Sequence, residues 1–143
     1  MKLRVKKLNE NAILPTYGTP YAAGADLYAL TAETIMSGET KLIHTGIAME
    51  IPEGYGGFLY ARSGLATKRG LAPANKVGVI DSDYRGEIMI ALYNPSAVAQ
   101  TVEAGERVAQ LVVAPFIHAE FEESDSLEQT DRGAGGFGST GKK

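Results

Sequence analysis

The sequence predicts an all-β fold, a sandwich or jelly roll with one short helix, on two observations. Seventeen glycines and six prolines divide the 143 residues into short apolar runs, and turn signals at such spacing are typical of β-sandwiches and barrels. Long segments with the 3.6-residue apolar period of a helix are nearly absent. The hydrophobic fraction of 44% is sufficient for one buried core, so we expect a single domain over residues 1–143.

Five stretches predict strands, in chain order. The first, "KLRVKKL", alternates apolar and polar residues and places Leu3 and Val5 on one face. The second, "TKLIHTGIAMEI", spans 40–51 and ends at a proline and a glycine. The others are "YGGFLYA", "GEIMIALYNP" and "ERVAQLVVAPF", which Gly, Pro or Asn bound or interrupt.

One short helix is predicted at "SGLATKRG", with Ser63 as the opening residue and Gly70 as the closing one. From about Glu122 the chain becomes polar, with "EESDSLEQTD". We therefore expect a β body at 1–121, followed at 122–143 by a polar connector and a mobile glycine-rich tail.

Charge and cysteine content restrict the partners. The net charge of −3 and the pI of about 5.4 argue against nucleic acid or an anionic membrane as the main partner. The absence of cysteine excludes disulfides and thiolate metal sites and fits a reducing cytosol. No apolar run reaches the ~20 residues of a membrane span, and the N-terminus lacks the apolar core of a signal peptide. We expect a soluble, cytoplasmic protein.

The tail "GFGSTGKK" is similar to a Walker A phosphate loop. That motif needs a final Ser or Thr and then a helix whose N–H groups bind the phosphates, and the sequence has neither after Lys142. Glycines and hydroxyl groups still suit a phosphate, and a flexible linker has no use for Phe137. We interpret the tail as a lid over a planar ligand; the alternative is a frayed terminus.

A second phosphate-binding candidate is "ARSGLATKRG". A strand delivers Arg62, Ser63 and Gly64 to the helix start, where free N–H groups, a hydroxyl and a guanidinium converge. The alternative is an ordinary Ser N-cap beside a surface arginine.

The stretch "NKVGVIDSDYRGEI" predicts a pocket. Gly78 within an apolar run indicates close approach of a ligand or another backbone. Asp81 follows that run, so we expect it at the pocket mouth, where it can activate a water or hold a metal. Asp83 shares its face if the strand continues, whereas a turn through "DSDYRG" is the alternative.

Two further polar residues lie in apolar surroundings. Asp26 in "AGADLYA" is expected to be buried and to need a partner for its charge. Gln110 in "AGERVAQLVV" also needs hydrogen-bond partners, and taken alone a structural role is favoured. His44 and His118 lack the spacing of a metal site and are expected to serve the fold.

Together these stretches resemble the five motifs of the homotrimeric dUTPase family, over residues 14–141. In motif order they are "AGADLYA", "RSGLA", "NKVGVIDSDYRGEI", "GERVAQLVV" and "RGAGGFGSTG". The resemblance implies a jelly-roll subunit in a trimer and hydrolysis of dUTP to dUMP and pyrophosphate with Mg²⁺. Such an activity keeps uracil out of DNA and supplies dUMP for thymidylate synthesis. It also implies that the tail of one subunit covers an active site between two others.

The resemblance assigns roles to individual residues. Asp81 would activate the attacking water, and Asp26 would contact the metal through water. Uracil would be bound by the backbone of Gly78, Val79 and Ile80 and the amide of Asn75. Tyr84 would pack under the deoxyribose, Met89 would line the same wall, and Phe137 would stack on the base. The phosphates would be held by Arg62, Ser63, Gly64, Gln110, Arg132, Gly138, Ser139 and Thr140.

Two alternatives remain open at this point. One is an enzyme related to dCTP deaminase, which would need a different contact to the base edge and an acid–base group for attack on a ring carbon. The other is a non-catalytic nucleotide-sensing or interaction protein on the same fold. A β-sandwich without any ligand would leave the five polar motifs unexplained.

Overall fold

The computed structural model describes residues 1–136 and confirms an all-β architecture with one short helix in that range. In chain order the elements are β1 (Arg4–Lys7), β2 (Thr16–Tyr17), β3 (Ala25–Tyr28), β4 (Glu33–Ile35), β5 (Thr40–His44), β6 (Ile47–Glu50), β7 (Tyr55–Ala61), α1 (Ser63–Arg69), β8 (Ala72–Pro73), β9 (Gly78–Ile80), β10 (Met89–Tyr93), β11 (Gln100–Val102) and β12 (Arg107–Pro115).

The strands pair antiparallel into four sheets. The largest has the order β2-β3-β12-β7-β9, and a three-stranded sheet has the order β5-β10-β8. β1 pairs with β6, and β4 pairs with β11. Buried side chains of the larger sheets, among them Leu27, Leu111, Ile43 and Ile90, belong to one apolar cluster. The strands therefore form layers around a single core, as a sandwich requires.

β9 lies at one edge of the five-stranded sheet and pairs there with β7, which approaches it closely. Ile80 pairs with Gly57, and a Cβ on Gly57 would lie 2.6 Å from Ile51 Cδ1 and 3.3 Å from Ile80 Cβ. Glycine thus leaves the space in which β9 packs. Since Asp81 directly follows β9, this packing also sets the position of its backbone.

A β-bulge in β12 turns two polar side chains to the same side. The register with β3 shifts between Arg107 and Ala109. Without the extra residue, positions 107 and 110 would face opposite sides of a strand. With the bulge, Arg107 and Gln110 both reach Asp26 on β3.

The helix has its predicted ends but a different cap. α1 begins at Ser63, and the left-handed Gly70 that follows it donates its N–H to Ala66 O at 3.0 Å. Arg62, not Ser63, is the N-cap residue, and its side chain makes no capping hydrogen bond. The interpretation of Ser63 as an N-cap is therefore wrong. Its hydroxyl is not used for capping and lies at the exposed start of the helix.

Beyond β12, residues 116–136 contain no strand or helix and are almost entirely exposed. Three apolar side chains stand out on this segment: Ile117 is 93% exposed, Phe121 96% and Leu127 88%. No helix in residues 1–136 is long and apolar enough to cross a membrane.

Candidate active site

A cavity of about 280 Å³ opens beside the edge strand β9. It brings together seven of the residues that the sequence singled out, all from one stretch of chain: Asn75, Gly78, Val79, Ile80, Asp81, Tyr84 and Met89. Its remaining wall comes from β5, β7, β10 and the residues just before β10. We call it the hairpin cavity.

The backbone of β9 lies open on one side of its strand. β7 pairs with the inner side, whereas an edge strand presents unpaired N–H and C=O groups on the outer side. The close approach predicted at Gly78 is made by β7, since a Cβ there would lie 3.1 Å from Leu59 Cβ. It would also lie 3.4 Å from Asn75 Nδ2, so the side-chain amide is close to the strand. A planar ligand with donors and acceptors on its rim fits this edge.

Asp81 lies at the lip of the hairpin cavity, exposed to solvent. The strand ends at Ile80, and Tyr84 N donates to Asp81 O at 3.2 Å, which closes a turn. The expectation that Asp81 and Asp83 share a strand face is therefore wrong, and the turn alternative is correct. An exposed carboxylate beside an apolar wall can hold a water and accept a proton from it.

Tyr84 folds back over its own loop. Its Oη donates to the carbonyl oxygen of Glu87 at 2.9 Å. The Glu87 carboxylate in turn accepts the Gly46 N–H at 2.8 Å and contacts His44 Nδ1 at 2.9 Å. Burial opposes ionisation of Glu87, but the hydrogen bonds from His44 and Gly46 outweigh it and hold the pKa below its ordinary value. His44 thus anchors this loop.

A second cavity, of about 380 Å³, lies where β7 passes into α1. Four basic side chains line it, Arg62, Lys68, Arg69 and Arg107, together with the backbone at Gly64. Arg69 is paired with Glu106, which also lines the cavity. The other basic side chains and the start of a helix suit a phosphate chain. Within residues 1–136 this basic cavity shares no lining residue with the hairpin cavity.

Asp26 is the anchor of the basic cavity. It is only 4% exposed, and its Oδ1 accepts from Arg62 Nε at 3.1 Å and from Gln110 Nε2 at 3.4 Å. Its Oδ2 accepts from Arg107 Nη1 at 3.3 Å. The expectation of a buried, partnered carboxylate is confirmed, and these donors compensate for its lost hydration. Arg62 Nη1 lies near the start of α1, 3.9 Å from the point where a Cβ on Gly64 would be.

Sequence reasoning missed Arg107 and Lys68. Arg107 lies three residues before Gln110, and in a regular strand that spacing places the two side chains on opposite faces. Only the bulge brings both to the same face. Lys68 lies five residues after Ser63, which places it in the second turn of α1 and within reach of the same cavity.

The tail residues are only partly placed. Arg132 donates from Nε to Gly135 O at 2.8 Å, within an exposed turn, and in the described part of the chain it lines neither cavity. Phe137, Gly138, Ser139 and Thr140 lie outside the described residues. Over residues 1–136 no group of three or more His, Cys, Asp or Glu side chains is arranged to hold a metal ion.

The family model for dUTPase matches residues 10–141 of the sequence. The chain belongs to the dUTPase family. It is similar to the deoxyuridine 5′-triphosphate nucleotidohydrolase of Nautilia profundicola, with 52% identity over 99% of this chain and 100% of that protein. Its identity with the protein of the same name from Desulfitobacterium hafniense is 53%, over 90% of this chain and 87% of the other.

Solved structures give the same result for the fold. The dUTPase of Staphylococcus bacteriophage 80alpha with dUPNHPP superimposes with a TM-score of 0.91, at 30% identity and 98% coverage of both chains. A dUTPase variant from phage phi11 of S. aureus, described as coordinating a structural Mg(II) ion, has a TM-score of 0.83. It is 26% identical, over 90% of this chain and 100% of that one. The predicted family and fold class are confirmed.

Proposed function

We propose that the chain hydrolyses dUTP to dUMP and pyrophosphate, with Asp81 holding the water that attacks the α-phosphorus. As a member of the dUTPase family the chain is a dUTP diphosphatase. The observation that carries the mechanism is the position of Asp81. Its exposed carboxylate lies at the lip of a cavity whose wall is an open strand edge. The relatives give no support to the dCTP deaminase alternative.

Base recognition follows from the open edge of β9. The backbone of Gly78, Val79 and Ile80, with the amide of Asn75, offers hydrogen bonds to the pairing edge of uracil. Cytosine presents the opposite donor and acceptor at two positions and leaves buried groups unpaired, a discrimination that can reach ~10⁴-fold. Thymine is refused because its methyl group would clash with the tightly packed hairpin, and Tyr84 packs beneath the deoxyribose.

The reaction is an in-line displacement. The water oxygen bonds to the α-phosphorus, the bond to the oxygen that bridges the α- and β-phosphates breaks, and pyrophosphate leaves with that oxygen. Asp81 accepts the proton that the water loses. Arg62, Ser63, Gly64 and Gln110 hold the phosphates, and we add Arg107 to this set because it lines the basic cavity. Positioning and neutralisation of charge supply most of the rate increase.

The tail completes the site in this mechanism. Arg132, Gly138, Ser139 and Thr140 contact the phosphates, and Phe137 stacks on the uracil, as aromatic side chains do on bases. Residues 122–143 act as a connector and mobile lid on a β body formed by 1–121. β12 ends at Pro115 and 116–136 is almost entirely exposed, which supports an exposed connector after the body but starts it at 116, six residues before the predicted boundary at 122.

Magnesium fits the donors of the basic cavity only in part. Mg²⁺ usually binds through one or two carboxylates, several waters and substrate phosphates, and Asp26 supplies one carboxylate beside that cavity. Both of its oxygens accept hydrogen bonds from Arg or Gln, so contact through water is the arrangement that leaves this cluster intact. Bound to the triphosphate, the ion would neutralise charge that develops on the phosphate oxygens.

We also propose that the active unit is a homotrimer. The hairpin cavity and the basic cavity are separate concavities in one chain, and Arg132 reaches neither. Ile117 and Phe121 are almost fully exposed on the segment that leaves the body, and apolar side chains of that size indicate a protein surface that covers them. Sharing of each site between subunits accounts for both observations.

Isotope tracing tests the assigned roles. With H₂¹⁸O and limiting dUTP, we expect the label in dUMP and none in pyrophosphate, because the water attacks the α-phosphorus. Asp81→Asn should still bind dUTP and should lose ~10²-fold or more in turnover. Asp83→Asn, an acid from the same exposed turn, is the matched control and should keep its turnover. Label in pyrophosphate contradicts attack at the α-phosphorus. Loss of turnover in Asp83→Asn instead of Asp81→Asn would assign the role of base to Asp83.

Subunit mixing tests the shared site. Asp81→Asn chains and chains that end at Asp131 should each be inactive, since one lacks the base and the other the lid. Mixed under conditions of demonstrated subunit exchange, they should recover part of the activity, because some sites combine an intact Asp81 with an intact tail. No recovery contradicts a site built from several chains. Tight dUTP binding without turnover in the wild type would instead support the nucleotide-sensing alternative.

A further inference from the structure

Gly86 lies two residues after Tyr84 in the loop beside the hairpin cavity, and the tyrosine ring occupies the space where its side chain would be. A Cβ built on Gly86 would lie 2.6 Å from Tyr84 Cζ and 2.9 Å from Cε2, and closer still to Oη. Real Cβ atoms do not approach carbon atoms this closely. The ring can therefore take its observed position only because residue 86 is glycine.

The collision is with the ring and not with the backbone. All three contacts below 3.0 Å are with atoms at the far end of the Tyr84 side chain, which rotates about two bonds. Gly86 has no positive φ, so an alanine at this position needs no left-handed backbone. Gly86→Ala is therefore expected to displace the ring while it leaves the loop and the core in place.

A hydrogen bond also fixes the hydroxyl end of the ring. Tyr84 Oη donates to Glu87 O at 2.9 Å, and the Glu87 side chain is tied to β5 and the following loop through His44 and Gly46. The glycine provides the space, and the Glu87 carbonyl holds the hydroxyl there. Tyr84 lines the hairpin cavity in this position, beside Asp81.

We propose that Gly86 is a specificity-determining position that acts through Tyr84: it lets the ring lie where it excludes the 2′-hydroxyl of a ribonucleotide. The inference rests on the proposed function, in which this ring packs beneath the sugar. Gly86 itself does not line the cavity, so it is a positioning residue. A ring pushed aside by a methyl group leaves a gap under C2′ and relaxes the selection for deoxyribose.

The experiment compares kcat/KM for dUTP and UTP in four variants. Gly86→Ala should lower the ratio of kcat/KM for dUTP to that for UTP by about tenfold. Packing alone rejects a substrate with an added hydroxyl by ~10²-fold, so a partly displaced ring should lose part of that discrimination. Gly18→Ala is the matched control, because a Cβ there meets nothing within 4 Å, and its ratio should equal that of the wild type. Tyr84→Ala should lower the ratio at least as far as Gly86→Ala.

The double variant Gly86→Ala/Tyr84→Ala tests whether Gly86 acts through the ring of Tyr84. Without the ring there is no collision, so the double variant should fold, and its ratio should equal that of Tyr84→Ala alone. A further tenfold fall in the double variant, an unchanged ratio in Gly86→Ala, or loss of fold in Gly86→Ala each overturns the inference. Wild-type hydrolysis of dUTP tests the proposed function separately, so failure of one is distinguishable from failure of the other.

Discussion

Replacement of Asp26 by asparagine is the sharpest test of the buried cluster that supports the basic cavity. Asp26→Asn conserves volume but removes the charge and turns one acceptor oxygen into a donor, which then faces an arginine or Gln110. Removal of one partner of a buried ion pair destabilises a protein by about 3–5 kcal/mol. The Arg62 and Arg107 side chains remain 26% and 47% exposed and can turn to water. We therefore expect a loss near the lower limit, about 3 kcal/mol.

The assay is urea unfolding at neutral pH, without Mg²⁺ and at equal chain concentration, so that neither metal binding nor assembly contributes to the difference. Glu50→Gln is the matched control: it also neutralises an acid paired with arginine, but the side chains of that pair are 40% and 82% exposed. We expect little change there. An equal effect of the two substitutions would refute the reasoning, because burial would then not decide the contribution of the carboxylate.

Four further substitutions test other parts of the chain. Gly57→Ala forces a methyl group against Ile51 and should lower the free energy of unfolding by about 1–3 kcal/mol; an unchanged urea midpoint contradicts this. Glu87→Gln should be less stable than the wild type at neutral pH. Because the folded-state pKa of Glu87 is lowered, the difference should shrink as the pH falls below 4.5, and a difference that grows in acid is the opposite of this expectation. Phe137→Ala should reduce kcat/KM for dUTP by a stacking contribution of ~1–3 kcal/mol, whereas Lys142→Ala should have little effect; the reverse pattern would favour a P-loop.

The sequence predicted the longer strands only in outline and the hairpin cavity well. The predicted strand 40–51 is divided at Thr45 and Gly46 into β5 and β6, which belong to different sheets, and β6 ends at Glu50. The short strands β2, β3, β4, β8 and β11 were not predicted, because two to four residues carry too little periodicity to be recognised. The cavity residues come from one continuous stretch, so their proximity follows from chain continuity alone. The buried state of Asp26 could also be predicted, since small and apolar neighbours surround it.

The sequence could not give features that depend on pairing between distant strands. The bulge that directs Arg107 toward Asp26 exists only in the pairing of β12 with β3, and no local pattern reports it. Ser63 looked like a cap by residue type, yet the chain enters the helix with Arg62 in the cap position. The role of Gly86 was hidden because a turn glycine needs no further explanation until the ring of Tyr84 is placed.

The most direct measurement is pyrophosphate release from dUTP, dTTP, dCTP and UTP by the wild-type chain, with and without Mg²⁺. We expect rapid release from dUTP with Mg²⁺, and a preference over dCTP that approaches the ~10⁴-fold available to a site with matched buried hydrogen bonds. We also expect slower release from dTTP and UTP, and a loss of rate when the metal is chelated. Comparable release from dCTP, or none from dUTP, would contradict the assignment of the open β9 edge to uracil and of Asp81 to the attacking water.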